Sequence, residues 1–119
     1  MPGGIDPHVH LELPFMGTTA VDDFNVGSQA AVAGGTTTFI DFVIPGADGL
    51  LAGYKDWRSR ADPKVHCDYA LHCAITDWNP RISQEMGEMV KHGISSFKLF
   101  MAYKGSSFYQ TDERLLQIF

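Results

Sequence analysis

The sequence has two cysteines, few basic residues and no long apolar run, and each shortage excludes a class of protein. Cys67 and Cys73 lie in one predicted strand, where neighbouring positions cannot easily meet, so we expect two reduced thiols. Nine Lys and Arg against 14 Asp and Glu give a net charge of -5, which argues against a nucleic-acid partner. No apolar stretch reaches about 18 residues and no basic-then-apolar start is present, so we expect no membrane span, no secretory signal and a cytoplasmic location.

The composition and the order of structural signals indicate one α/β domain. The 119 residues are 45% hydrophobic and 12% aromatic, which is enough to bury a core. Strands are predicted to start near residues 3, 36, 65 and 94. Between them, Gly34 and Gly35 end one helix, a second spans about 50–60, Asn79 begins a third, and Thr111 begins the last. Units of about 30 residues fit either a small open α/β sheet or half of an eight-stranded barrel.

Alternation along the predicted strands gathers polar side chains on one face. In the first strand this face carries Asp6, His8 and His10. In the third strand it carries His66, Asp68 and His72, opposite the apolar set Val65, Cys67, Tyr69, Leu71, Cys73 and Ile75. In the fourth strand it carries Ser96 and Lys98, opposite Phe97, Leu99 and Met101. If helices cover the apolar faces, the polar faces line a common interior, where a lysine needs a function or a partner.

The histidine pair has two possible roles. At positions i and i+2 of a strand, His8 and His10 would stand about 6 to 7 Å apart at the backbone, close enough to bind one zinc ion. They could instead be polar residues at the frayed end of a strand. A second zinc site from the later histidines and cysteines is not expected, because alternation sends imidazoles and thiols to opposite faces.

Three segments together resemble the first half of a dihydropyrimidinase or hydantoinase, within the amidohydrolase superfamily. They are PGGIDPHVHLELPFMGTTAVDDF, AVAGGTTTFIDFVIP and SSFKLFMAYK, and the similarity runs over essentially the whole chain. The resemblance implies a (β/α)8 barrel of the TIM type, flanked by a small β-sandwich. It also implies two zinc ions per subunit, a homotetramer, and ring opening of a cyclic amide or imide to an N-carbamoyl amino acid by a metal-activated bridging hydroxide.

The resemblance also implies roles for individual residues. His8 and His10 would bind one metal, and Lys98, carboxylated by carbon dioxide, would bridge both. Burial lowers a lysine pKa and so favours the neutral amine that carboxylation needs. Tyr103 would bind substrate and hydrogen-bond the developing oxyanion, although a tyrosine at a strand-loop corner could instead serve packing. Asp6 would have a supporting role.

Other residues bear on substrate choice and on competing functions. Dihydroorotase-like relatives carry an arginine two residues after the second histidine, where this chain has Glu12, so an uncharged ring is favoured. We expect Glu12 and Asp41 to be solvated or supporting, and Trp57 and Trp78 to serve packing. The alternative to an enzyme is a scaffold protein of the collapsin response mediator type, which shares the fold but has lost metal ligands.

The resemblance covers only part of the family's pattern. Residues 1–119 would form a partial barrel domain with about four βα units, without the β-sandwich, the last four strands, or the later histidine and aspartate ligands. We therefore expect this segment alone to be inactive. Whether dihydrouracil or hydantoin is the preferred ring depends on the parts that the resemblance does not reach.

Overall fold

Strands and helices alternate along most of the computed structural model, which describes residues 1–119. The strands are β1 (Gly4–Asp6), β2 (Pro14–Phe15), β3 (Thr18–Thr19), β4 (Thr36–Val43), β5 (Asp68–Ala74) and β6 (Phe97–Lys98). The helices are α1 (Phe24–Ala33), α2 (Leu50–Ala61), α3 (Pro80–Lys91) and α4 (Asp112–Ile118). This order confirms the predicted α/β class. None of the helices combines the length and the apolar character needed to cross a bilayer.

Four of the strands form one sheet in the order β1-β4-β5-β6. β1 and β4 pair in parallel, with Ile5 opposite Thr38, and β5 and β6 pair in parallel, with Ala74 opposite Lys98. Parallel neighbours cannot be joined by a tight hairpin, which explains why helices intervene between them in the sequence. β2 and β3 form a separate antiparallel pair.

Side-chain caps set the starts of three helices. Asp23 accepts a hydrogen bond from Val26 N at 2.8 Å to begin α1, and Asn79 accepts one from Ile82 N at 3.1 Å to begin α3. Thr111 begins α4 in the same way. The starts at Asn79 and Thr111 were predicted from residue type, because a short polar side chain there satisfies a main-chain donor that the helix itself cannot.

The chain folds as two compact units, each with its own core. The first unit comprises residues 1–42 and 56–71, and its buried apolar side chains are Phe24, Phe39, Phe42, Trp57, Ala61 and Leu71. The second comprises residues 43–55 and 72–119, with Val43, Leu50, Cys73, Ala74, Ile75, Ile82, Met89 and Ile94 buried. The predicted packing role of Trp57 is confirmed by this burial.

Several strands are shorter than predicted. β1 ends at Asp6, before either histidine, and β5 begins only at Asp68. β6 has two residues, and Met101 beyond it is 74% exposed, so the prediction that Met101 packs under a helix was wrong. The β2–β3 hairpin was not predicted. Its turn at Met16 and Gly17 has φ values of 51° and 81°, and Gly17 adopts this left-handed region without steric cost.

Candidate functional site

His8 and His10 lie close together in the segment that follows β1. Their ring centroids are 5.1 Å apart and the rings are nearly perpendicular, at 85°. The centroid of a coordinated imidazole lies about 3.2 Å from a zinc ion, so two such rings at a tetrahedral angle stand about 5 Å apart. The centroid spacing therefore matches that of two ligands on one ion, and it also matches an edge-to-face contact between two rings. The structure contains no group of three or more His, Cys, Asp or Glu side chains that could hold a metal.

Three consecutive residues of β4 hold this histidine segment. Ile40 O accepts a hydrogen bond from Val9 N at 3.1 Å, and Asp41 Oδ2 accepts one from Leu11 N at 2.9 Å. The ring of Phe42 packs against both imidazoles, with centroid distances of 4.4 Å to His8 and 4.9 Å to His10. Both histidines lie outside β1. Their position is therefore set by these main-chain and side-chain contacts with β4.

Asp41 is a buried acid. We predicted that it would be either solvated or supporting, and its burial rules out the first of these alternatives. Its side chain is 0% exposed and also accepts a hydrogen bond from Phe42 N. Burial raises the pKa of Asp41 to about 6, although hydrogen bonds from Leu11 and Phe42 and the nearby charge of Arg60 lower it. An acid is retained at this position at an electrostatic cost.

Asp6 and Glu12 hold the two ends of the histidine segment. Asp6 Oδ1 accepts a hydrogen bond from His8 N at 3.0 Å, which is the supporting role expected of it. Glu12 has φ 50°, an uncommon value for a residue other than glycine. Its carboxylate accepts a hydrogen bond from Phe24 N at 3.2 Å and forms an ion pair with Lys64. The charge of Glu12 is therefore paired within the protein.

Lys98 lies in the second unit, at the end of β6. Its main-chain oxygen accepts a hydrogen bond from Ile75 N at 3.0 Å, which continues the pairing of β5 with β6. Burial lowers the pKa of Lys98. Its Nζ atom also lies 4.9 Å from the centroid of the Phe100 ring, a contact that favours the charged form. Burial thus favours the neutral amine of Lys98, and the contact with Phe100 opposes it.

Tyr103 also belongs to the second unit and lies in the loop after β6. Its φ is 63°, a left-handed conformation that is costly for a bulky side chain. The side chain is 52% exposed, and its ring centroid lies 6.0 Å from that of Phe100. Within residues 1–119 the ring is therefore only partly packed.

The other histidines and the cysteines have separate surroundings. His66 precedes β5 and its Nε2 atom lies 2.7 Å from Asn25 Oδ1 of α1, so it does not share a strand face with His72 as predicted. His72 hydrogen-bonds Ser96. The two cysteines are free thiols, and burial raises the pKa of Cys73 to about 12, which makes it a poor nucleophile.

The sequence and the fold are similar to those of known proteins. Residues 1–93 match the amidohydrolase family. The chain is 58% identical over 121 residues to a dihydropyrimidinase of Dictyostelium discoideum, covering 100% of the chain and 24% of the relative. It is 46% identical over 121 residues to the dihydropyrimidinase-related protein 5 of Mus musculus, covering 100% of the chain and 21% of that protein. Among solved structures, a D-hydantoinase from Bacillus sp. AR9 superposes with a TM-score of 0.91 at 41% identity, covering 98% of the chain and 26% of that structure.

The chain thus spans about a quarter of the length of these relatives. Its α/β fold corresponds to part of the barrel of the hydantoinase structures, which confirms the expected barrel type.

Proposed function

Because this chain belongs to the amidohydrolase family, we propose that a protein carrying it hydrolyses cyclic amides. The substrates would be dihydropyrimidines such as dihydrouracil, or hydantoins, and the products N-carbamoyl amino acids. The names of the relatives with 58% and 41% identity support this substrate class. In this proposal, residues 1–119 supply the first βα units of the barrel.

The observation that carries the proposal is the arrangement of the two imidazoles. His8 and His10 have the 5.1 Å centroid spacing of two ligands on one ion, and the Nδ1 atom of His10 is buried. Nitrogen ligands on a strand-end segment fit zinc, and we propose two zinc ions per subunit, with His8 and His10 on one of them. When bound, these ions would supply Lewis acidity at the substrate carbonyl and lower the pKa of water.

Lys98 would be carboxylated and bridge the two ions. Its neutral amine would attack the carbon of carbon dioxide. The N–C bond forms as one C=O π bond opens onto oxygen, and the nitrogen loses one proton to water, giving an anionic ligand with two oxygens. Desolvation of Lys98 supports this step because it lowers the pKa of the amine. No other residue of β6 carries a nitrogen or oxygen donor in its side chain.

Tyr103 would donate its phenolic proton in a hydrogen bond to the oxyanion that develops during ring opening. Its exposed ring and left-handed backbone support this role, because strain of this kind persists where the surrounding structure requires it. The residue at position 12 also bears on the substrate class, because it is a glutamate that is paired with Lys64. No guanidinium at that position would bind a substrate carboxylate, so an uncharged ring is favoured.

The proposed protein would act in the cytoplasm as a homotetramer and take a small cyclic amide as its partner molecule. A scaffold role is the competing possibility, since a dihydropyrimidinase-related protein is 46% identical. The sequence contains His8, His10 and Lys98, which favours the enzyme because a scaffold has no need of these three metal donors.

The test is a hybrid enzyme in which residues 1–119 replace the matching segment of the Dictyostelium discoideum dihydropyrimidinase. We expect the hybrid to hold two zinc ions per subunit and to open dihydrouracil. A His8→Ala, His10→Ala double variant should lose zinc and turnover, whereas a His92→Ala variant, at the end of α3, should keep both. A hybrid that folds but holds no zinc would favour the scaffold.

A further inference from the structure

Gln110 is a buried polar residue that the proposed chemistry does not use. It is 1% exposed and directly precedes Thr111, which begins α4. Its side-chain Nε2 donates to Ile75 O at 3.0 Å and to Phe108 O at 3.4 Å, while Oε1 is buried without a hydrogen-bond partner. The buried Oε1 without a partner costs stability, and the two hydrogen bonds that Nε2 donates offset that cost.

The same residue closes the loop that carries Tyr103. Gln110 N donates to Phe100 O at 2.9 Å, and Phe100 and Tyr109 form an isolated parallel bridge. Inside the loop, Ser106 N donates to Tyr103 O at 2.9 Å. Gln110 therefore joins the two ends of the loop 100–109 through its main chain. Through its side chain it fixes the loop to Ile75, the residue that follows β5.

We propose that Gln110 is a positioning residue that holds the 100–109 loop in the conformation in which Tyr103 reaches substrate. This inference rests on the role of Tyr103 in the proposed function. The side-chain amide donates to Phe108 O within the loop and to Ile75 O outside it, and a carboxylate has no N–H with which to make these bonds. Loss of these two bonds would free the loop, which contains neither His8 nor His10.

Gln110→Met in the hybrid enzyme is the principal variant, because methionine keeps the length and most of the volume but has no donor. Gln84→Met is the matched control, since Gln84 lies exposed in α3. We expect Gln110→Met to retain both zinc ions and a nearly unchanged KM, with kcat lowered about 10- to 100-fold, as for a misplaced catalytic group. Gln84→Met should match the parent.

A double variant separates positioning from general destabilisation. If Gln110 acts through Tyr103, Gln110→Met combined with Tyr103→Phe should have the same kcat as Tyr103→Phe alone. The proposal would be overturned if the fall in kcat of the double variant equalled the product of the two single-variant falls. Loss of zinc in Gln110→Met would overturn it as well.

Amide hydrogen exchange gives a readout that does not depend on turnover. In Gln110→Met, the loop amides of Ser106 and Tyr109, and the amide of residue 110 that closes the loop, should exchange at least about tenfold faster, while those of α3 stay unchanged. Unchanged exchange in the loop would overturn the inference even if kcat fell. If Tyr103→Phe leaves kcat unaltered, the proposed role of Tyr103 is wrong, and the exchange rates alone then decide whether Gln110 orders the loop.

Discussion

The carboxylate of Asp41 accepts a hydrogen bond from the main-chain nitrogen of Leu11, and Leu11 directly follows His10. The two partners are 30 residues apart in sequence, and the contact fixes the histidine segment against β4. On its other side, the Leu11 side chain packs so closely on Gly27 of α1 that a Cβ atom there would clash with it. The geometry of the imidazole pair thus depends on residues that are not themselves ligands.

Replacing Asp41 with asparagine should weaken zinc binding in the hybrid enzyme. Both carboxylate oxygens accept main-chain hydrogen bonds, and an amide can replace only one of them. We expect zinc affinity to fall about 10- to 100-fold, which is typical of lost support around a metal ligand. A chelator titration measures this change. Asp68→Asn, at the exposed start of β5, is the control, and equal affinity in both variants would show that Asp41 does not support the site.

The same substitution should change how stability depends on pH. Burial raises the pKa of Asp41 to about 6 in the folded protein, above its ordinary value of 3.8. The folded state therefore favours the protonated acid, and this stabilisation is complete below about pH 4 and lost as the pH rises through 6. Asp41→Asn removes this dependence on pH. The free energy of unfolding of the variant, relative to that of the parent, should therefore be about 2 to 3 kcal/mol higher at pH 7 than at pH 4. Urea unfolding of parent and variant at both pH values measures the difference, and a difference of opposite sign would show that the charged form is favoured.

Lys98→Ala should abolish the loading of two zinc ions in the hybrid enzyme, because the proposed bridge between the ions is lost. Short-chain carboxylic acids should restore part of the activity, since a carboxylate can bridge two ions in place of the carboxylated lysine. Metal analysis and dihydrouracil hydrolysis, with and without added acid, are the measurements. The control is Lys91→Ala, on the surface of α3. Hydrolysis by Lys98→Ala at the parental rate without additives would rule out the bridging role.

Local features of the sequence predicted more of this fold than of the site. The caps at Asn79 and Thr111 act within three residues, so residue type was sufficient to place α3 and α4. The burial of Asp41 could not be predicted, because its partner at Leu11 is distant in sequence and the burial depends on the completed sheet. One signal was present: a single acid inside the apolar strand TTTFIDFV is expensive unless it has a defined partner.

Strand lengths were also overestimated where the chain leaves the sheet. The apolar alternation at Leu99 and Met101 continues past Lys98, yet β6 ends there because the chain enters the loop that Gln110 closes. A period of two in a short window cannot distinguish a strand from the loop that follows it.

Tyr103→Phe should lower kcat of the hybrid enzyme by about 10²- to 10³-fold, with little change in KM. The phenolic hydroxyl would act chiefly on the charge that develops in the transition state, so its loss should not greatly weaken ground-state binding. Steady-state kinetics with dihydrouracil test this. Tyr54→Phe, in α2, is the control because its ring contacts His92 and not the loop. If kcat of Tyr103→Phe equals that of the control, the tyrosine serves packing.

The 119-residue chain by itself should bind zinc weakly, in a 1:1 ratio, and should not open dihydrouracil. Within its first unit, His8 and His10 supply two imidazoles, and the chain presents no group of three or more His, Cys, Asp or Glu side chains around one point. A structural or catalytic zinc ion needs three or four protein ligands for tight binding. The chain spans about a quarter of the length of its relatives.

Isothermal titration of the isolated chain and of its His8→Ala variant measures the affinity and stoichiometry of zinc binding. A dihydrouracil assay at high protein concentration measures turnover. We expect one weak site that His8→Ala removes and that Cys67→Ala leaves intact, because the half-buried Cys67 lies outside the histidine segment. Two tightly held zinc ions per chain with measurable turnover would contradict the prediction, since they would require ligands from within residues 1–119 that the structure does not bring together.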